Sequence, residues 1–334
     1  MYNLTRLLAA RRLLVVGGLN VDQILRAESE PADDGSARVS EYGTGFGGHA
    51  GNCACALACL GVGTAVLGSV GDDADGAALV ADLEACGVDT DYVRRVPGVP
   101  TGHVVIPCFP GRRYMLMHRG ANDVWPVPAD KLEEAVEGFD AVLLFDPPAD
   151  FADALFNVLK GGGRKVYWNP GGLLAGLPWT RSRLACADVV LMNREETRSA
   201  FGGAVNGRLA AELRAERAGF RLVETLGREG ARLHAGGKTL RAASFPARVV
   251  DETGAGDAFT AAFAAFDGVG FDARTAMRLA NAVGACAIEE LGARAGLPRL
   301  PALAERWDLT AELSPFAAPP ETVGAGGARP VHGR

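Results

Sequence analysis

The sequence predicts an α/β fold: a three-layer sandwich whose mainly parallel central sheet carries helices on both faces, with a small β-rich excursion beside it. Three observations point there. Short apolar runs alternate with helix-period segments from end to end. The runs are continuous rather than alternating, as strands buried on both faces require. At 334 residues the chain is long enough to bury such a core as one large domain with a small appendage.

Residues 13–16 read as the first strand, ending in Gly17-Gly18-Leu19-Asn20-Val21-Asp22. Short strand candidates follow at 21–25 and 39–42, then a helix at 52–60, a strand at 65–67 and a helix at 74–86. The rhythm breaks at 101–107 and 113–118, two β-rich runs joined by Cys108-Phe109-Pro110-Gly111-Arg112, which read as a hairpin. A helix at 128–137, a strand at 141–145, a helix at 150–160 and strands at 166–168 and 189–192 restore the alternation. A helix at 206–218, a strand at 222–223 and helices at 256–266 and 272–290 complete it. The segment 314–334 is rich in Ala, Pro and Gly and is expected to lie outside the fold as a flexible tail.

Composition excludes several function classes. The chain has 34 basic and 40 acidic residues and no basic block, so it is not expected to bind nucleic acid. No apolar run reaches membrane-spanning length. The apolar start is split by Arg11-Arg12 and lacks a small-residue cleavage site, so it does not read as a signal peptide, and a cytoplasmic location is expected. The seven cysteines form no CxxC pair and have apolar neighbours, which suits reduced core thiols. Neither GxGxxG after the first strand nor GxxxxGK[ST] anywhere is present, which argues against a dinucleotide enzyme and a P-loop ATPase.

The most informative stretch is Asp251-Glu252-Thr253-Gly254-Ala255-Gly256-Asp257-Ala258-Phe259. Two glycines sit where a loop becomes an apolar helix, with a carboxylate in its first turn. The first N–H groups of a helix lack internal partners and carry the positive end of its dipole, and glycine lets a phosphate approach them. Asp257, beside such a phosphate and favoured as an anion by the dipole, suits a base for an attacking hydroxyl. Asn20 and Asp22 after the first strand, and Asp146 after the strand at 141–145, stand at carboxyl ends of strands, where open α/β sheets bind ligands.

A second signature precedes this one by roughly two hundred residues: Gly45-Phe46-Gly47-Gly48-His49-Ala50-Gly51-Asn52, leading into a helix that ends at Gly61. With Gly68-Ser69-Val70-Gly71-Asp72-Asp73 and the segment Gly292-Ala293-Arg294-Ala295-Gly296-Leu297-Pro298, the chain resembles the ribokinase-like (PfkB) family of sugar and nucleoside kinases over roughly residues 12 to 308. The resemblance implies a kinase domain at 12–310 with a small β-sheet lid formed by about 21–44 and 99–120. It implies ATP-dependent transfer of the γ-phosphate to a primary hydroxyl of a sugar, with Asp257 as base and Gly254, Ala255 and Gly256 as the anion hole. Asn20, Asp22, Gly47, Gly48, Asn52, Asn122 and Asp146 would contact the substrate, with His49 either beside it or facing solvent. Asn193 and Glu196, in Asn-x-x-Glu, would stand near the phosphates and a water-coordinated Mg2+. Thr225, Gly227, Gly230 and Asn281 would line the nucleotide side. Asp251 and Thr253 mark where relatives hold a monovalent cation such as K+.

Two residues depart from the family pattern: Glu224, where an apolar residue is usual, and Glu252, where a small hydroxyl residue is usual. The alternatives are a nucleoside kinase of the same fold and a catalytically silent ligand-binding relative. The intact Asp257 argues against silence. The lid region is not rich in aromatics, which favours a free sugar, while Arg112, Arg113 and Arg119 could meet an anionic group on the substrate. The resemblance also allows a homodimer formed through the lid.

Overall fold

The computed structural model describes residues 2–31, 33–203 and 219–313. Nine strands form the central sheet, in the spatial order β14 (Lys238–Ala242), β13 (Ala231–Ala235), β12 (Arg221–Thr225), β11 (Val189–Asn193), β10 (Lys165–Trp168), β9 (Ala141–Leu144), β1 (Arg12–Val16), β4 (Gly63–Gly71) and β5 (Val93–Val96). From β12 to β5 every pairing is parallel, and β13 and β14 close one edge as antiparallel strands.

The apolar runs are continuous because each strand feeds two cores. Leu13 and Val15 of β1 enter one cluster with the helices His49–Cys59, Ala255–Gly268 and Ala273–Ala287. Leu14 and Val16 point the other way, into a cluster with the helices Leu132–Val136 and Ala149–Leu159. Ala255–Gly268 is the middle helix of its layer and is buried all round from Asp257 to Asp267. Its residues there are nearly all Ala and Phe because no face meets water.

Several elements differ from expectation. Tyr2–Ala9 is a helix whose Leu4 and Leu8, one turn apart, are fully buried, so the apolar start docks on the core. The segment 128–137 divides into a short 3-10 turn, Ala129–Lys131, and the helix Leu132–Val136. β5, β13 and β14 arise from short segments of mixed polarity. The expected helix at 206–218 and the tail at 314–334 lie outside the described residues. Among the described residues, no helix is long and apolar enough to cross a membrane.

A separate five-stranded sheet holds β2 (Asn20–Ala27), β3 (Val39–Gly47), β6 (Gly102–Phe109), β7 (Arg112–Arg113) and β8 (Leu116–His118). It contains the expected hairpin, with β6 pairing antiparallel to both β7 and β8. Its root lies just past the carboxyl end of β1, where Asn20 is paired with Gly47 on one side and Gly102 on the other. The Asn122 carboxamide clamps this root: it accepts from Leu19 N at 2.8 Å and donates to Leu19 O at 3.0 Å and Asn20 Oδ1 at 2.8 Å. A Cβ at Gly102 would lie 2.2 Å from the Asn122 nitrogen, so glycine is needed there.

Candidate active site

Two cavities open along the carboxyl ends of the strands and meet at the start of the central helix. One, of about 450 Å³, runs between the two sheets; the other, of about 760 Å³, lies beside β12 and the helix Ala273–Ala287. Asn193, Thr225, Glu252 and Gly256 line both. The junction therefore sits on the first helical turn, whose N–H groups have no intrahelical acceptors. Gly254 precedes that turn at φ 77°, and a Cβ there would meet Ala293 Cβ at 2.7 Å. Gly256 has nothing within 4 Å of an added Cβ, so its surroundings are open where an anion would approach.

Asp257 follows, 6 % exposed. His49 Nδ1 bonds its Oδ1 at 2.8 Å and Asn52 Nδ2 donates to its Oδ2 at 2.9 Å. Both partners come from the first turn of His49–Cys59, packed against the central helix. Arg294 orients Asn52 by donating from Nε to Asn52 Oδ1 at 3.1 Å, and its other nitrogens reach Asp82 and Gly47 O. The Asp257 carboxylate raises the His49 pKa to about 10 against the opposing effect of burial, so the imidazole donates as a cation. Its ring stacks on Phe145 at 5.8 Å and 6°.

The cavity between the sheets is lined by Asn20, Asp22, Gly48, Asn52, Asp146 and Asp257 among the expected residues. Burial, opposed by Arg294 and Arg113, lifts the Asp22 pKa to about 6. Asp146 Oδ1 is buried with no hydrogen-bond partner among the described residues, leaving an acceptor for a hydroxyl. Arg119 stands behind it, donating to Asp146 O at 2.9 Å and to Asp123 at 2.5 Å, and does not line the cavity. Arg112 is exposed beside Glu30, and of these three arginines only Arg113 reaches the cavity. The small sheet also contributes Val104, Met115 and Met117 to the walls.

Two expected contacts have other roles. Gly47 does not line the cavity; a Cβ there would lie 2.2 Å from Asp22 Oδ2, so the glycine makes room for that carboxylate. Asn122 spends its amide on the root of the small sheet and lies outside the cavity. In sequence, a turn that clamps a hinge and a turn that contacts substrate look alike.

On the other side, Thr225, Gly227, Gly230 and Asn281 line the larger cavity, together with Ala255. Asn281 donates to Ala242 O at 3.1 Å and Ala243 O at 3.0 Å, anchoring the segment that forms one wall. Asn193 and Glu196 form a capping box: Glu196 N donates to Asn193 Oδ1 and Asn193 N to Glu196 Oε2, each at 2.8 Å. This cap leaves the Asn193 side-chain Nδ2 and the other Glu196 oxygen for a ligand. Burial raises the Glu196 pKa. Glu224, the departure on β12, sits opposite Arg232 of β13 and pairs with it at 3.0 Å, so a cross-strand ion pair replaces the usual apolar contact.

Asp251 accepts from Thr253 N at 3.0 Å, Thr253 Oγ1 at 2.6 Å and Gly292 N at 3.0 Å. Burial opposes its ionisation, yet these bonds and the Arg113 charge hold its pKa below the usual value. All seven cysteines are free thiols. Cys55 lies close to Cys86 and Asp82, but Arg294 already holds Asp82.

Sequence reasoning left His49 undecided and missed Arg294 as a site residue. Arg294 lies 242 residues from Asn52, and its partners come from separate elements, so no local pattern marks it.

A family model described as "pfkB family carbohydrate kinase" matches residues 10–300. Ribokinase from Bacillus subtilis is 30 % identical over 290 residues, covering 86 % of this chain and 96 % of that protein. An ATP-dependent ribose-1-phosphate kinase from Halopiger xanaduensis is 32 % identical over 85 % of this chain and 94 % of its own length. The structure of Arabidopsis thaliana ribokinase complexed with ribose and ATP superposes with a TM-score of 0.81 at 28 % identity, covering 92 % of this chain and all of that one. The chain belongs to the pfkB family of carbohydrate kinases, with the ribokinase-like fold.

Proposed function

We propose that this kinase moves the γ-phosphate of ATP to a primary hydroxyl of a sugar, with Asp257 as base and Gly254, Ala255 and Gly256 as the anion hole. The observation that carries this reading is the meeting of the two cavities on the first turn of the central helix, where Gly256 lines both and the adjacent Asp257 lines the smaller. The larger cavity would hold the nucleotide; that the similar ribokinase was solved with ribose and ATP supports ATP as the donor. The smaller offers the Asp22 and Asp146 carboxylates, whose oxygens suit neighbouring hydroxyls, and the Asn20 carboxamide beside them. Met115, Met117 and Val104 would cover an apolar sugar face, and closing the small sheet over it would exclude water. A nucleoside is the second reading, since the same carboxylates would serve its ribose.

Mg2+ fits the donors present: the buried Glu196 keeps one oxygen outside its cap and would hold the ion through water, neutralising phosphate charge. K+ near Asp251 and Thr253 is part of the same proposal, to be tested by exchanging KCl for tetramethylammonium chloride. Exposed Tyr42, Tyr114, Met115 and Leu116 on the small sheet support pairing of two copies there.

The test is ADP release from Mg-ATP across pentoses, hexoses, sugar acids, sugar phosphates (ribose 1-phosphate included) and nucleosides, with Asp257→Asn in parallel. Acceptor-dependent release with the wild type alone is expected. Equal release without any acceptor would defeat the reading.

The raised Asp22 pKa adds a pH prediction. Because the value is lifted, the carboxylate is protonated sooner as pH falls from neutrality. kcat/KM for the acceptor is expected to be flat above pH 7 and to drop about tenfold per unit below the inflection near 6. Asp22→Asn removes the inflection and weakens acceptor binding. An unchanged inflection in that variant would assign it to another group.

A further inference from the structure

Arg113 lies on β7, at the outer end of the small sheet, yet its charge reaches the phosphate side of the cleft. Its Nη2 donates to Thr253 Oγ1 at 2.9 Å, across 140 residues of chain, and its Nη1 is 3.8 Å from Asp251 Oδ1. Thr253 immediately precedes Gly254, and Arg113 lines the same cavity as Gly256 and Asp257. The neighbouring Arg112 points away, to Glu30 at 3.7 Å.

Asp251 does not require this guanidinium, since Thr253 and Gly292 already make three bonds to it. A guanidinium has five N–H donors, and Thr253 takes one of Arg113's. The imidazolium of His49, the other cation on the cavity wall, is tied to Asp257. A cation with uncommitted donors thus stands beside the loop that opens the central helix, on a strand of the separate small sheet.

We propose that Arg113 is a catalytic residue of phosphoryl transfer, supplied by the small sheet as it closes. This rests on the kinase reading above. The bond from the γ-phosphorus to the β,γ-bridging oxygen breaks, a bond from the acceptor oxygen to that phosphorus forms, and the hydroxyl proton passes to Asp257. Arg113 keeps its protons and donates hydrogen bonds to oxygens of the group in flight, where charge spreads in a loose transition state. Because the guanidinium arrives with the lid, full charge stabilisation exists only over a bound acceptor, which suppresses transfer to water.

The test compares wild type with Arg113→Ala, Arg113→Lys and Arg112→Ala. Loss of such a donor is expected to lower kcat by about 10²–10³-fold, with the KM for acceptor and ATP changed only a few-fold. Lysine restores part of the rate, since it keeps the charge and loses the fork, and Arg112→Ala behaves as wild type. Added guanidinium chloride at millimolar levels raises kcat of the alanine variant. Calorimetry adds a readout free of turnover: acceptor-dependent tight binding of ADP with aluminium fluoride is lost in Arg113→Ala, while ADP alone and acceptor alone bind as before. A raised acceptor KM with kcat kept would make Arg113 a substrate contact or a simple latch and overturn the proposal. Wild type with no acceptor-dependent turnover would instead sink the kinase reading itself.

Discussion

Asp257→Asn is expected to lower kcat by about 10²–10⁴-fold, the range for loss of a general base, while the KM for ATP stays within a few-fold. The carboxylate lines the smaller cavity next to Gly256, which lines both, and is the first acidic side chain of the central helix. Asparagine keeps the shape but cannot take the hydroxyl proton. It also disturbs its support, because Asn52 donates to Asp257 Oδ2 and would face an amide nitrogen in one orientation of the new side chain. Asn52 cannot simply turn over, as its own oxygen accepts from Arg294. The variant should therefore adopt the orientation that places its oxygen on Asn52 and its nitrogen toward His49. There the imidazole must lose the Nδ1 proton to accept, and the removal of the Asp257 charge, the main cause of its raised pKa, makes that loss easier. NMR titration of His49 should show its pKa falling in Asp257→Asn. A rate within threefold of wild type would show that Asp257 is not the base.

The same network explains which parts of the site were legible in the sequence. Asp257, Gly254 and Gly256 sit in one nonapeptide, so a loop-to-helix junction with an acid in its first turn could be read locally. Asn193 and Glu196 are likewise a local pattern, and the structure uses them both as a cap and at the cavity. The His49–Asp257 pair spans 208 residues and exists only because two helices pack side by side. Arg294 joins Asp82, Asn52 and Gly47 from different elements. Side chains that hold other groups in place carry no signature of their own, and nothing in Gly120-Ala121-Asn122 marks the bonds that Asn122 makes to Leu19 and Asn20.

The fold shows the same division. β1, β9 and β11 were legible because strands buried on both faces must be continuously apolar. β14, at the sheet edge, reads Lys-Thr-Leu-Arg-Ala, with only its last residue buried, and its β character is fixed by pairing with β13. Leu4 and Leu8 sit within an apolar run in sequence, yet their one-turn spacing with Arg6 between them is that of a docked helix.

Asp267→Ala is expected to destabilise the protein by about 3–5 kcal/mol, as removal of one partner from a buried ion network does, and to lower Tm by roughly 5–10 °C. Asp267 lies near the carboxyl end of the central helix, where the helix dipole disfavours a negative charge. It is 5 % exposed and receives Arg221 on both oxygens at 2.7 and 2.9 Å, Lys165 at 2.5 Å and Tyr167 Oη at 2.7 Å. Burial opposes its charge, but the bonds and charge of Arg221, with Lys165 and Tyr167, win and hold its pKa below the usual value. A depressed carboxyl pKa gives stability that is complete at neutral pH and is lost as pH falls through the folded value. The Tm gap between wild type and variant should thus be constant from about pH 8 to 5 and narrow below about pH 4. Lys165 and Arg221 begin β10 and β12, at the sheet's end opposite the cavities, so kcat of the folded variant should match wild type. A Tm shift under 1 °C would mean that the cost of dehydrating these charges cancels their attraction, leaving the network to set the position of the central helix without stabilising it.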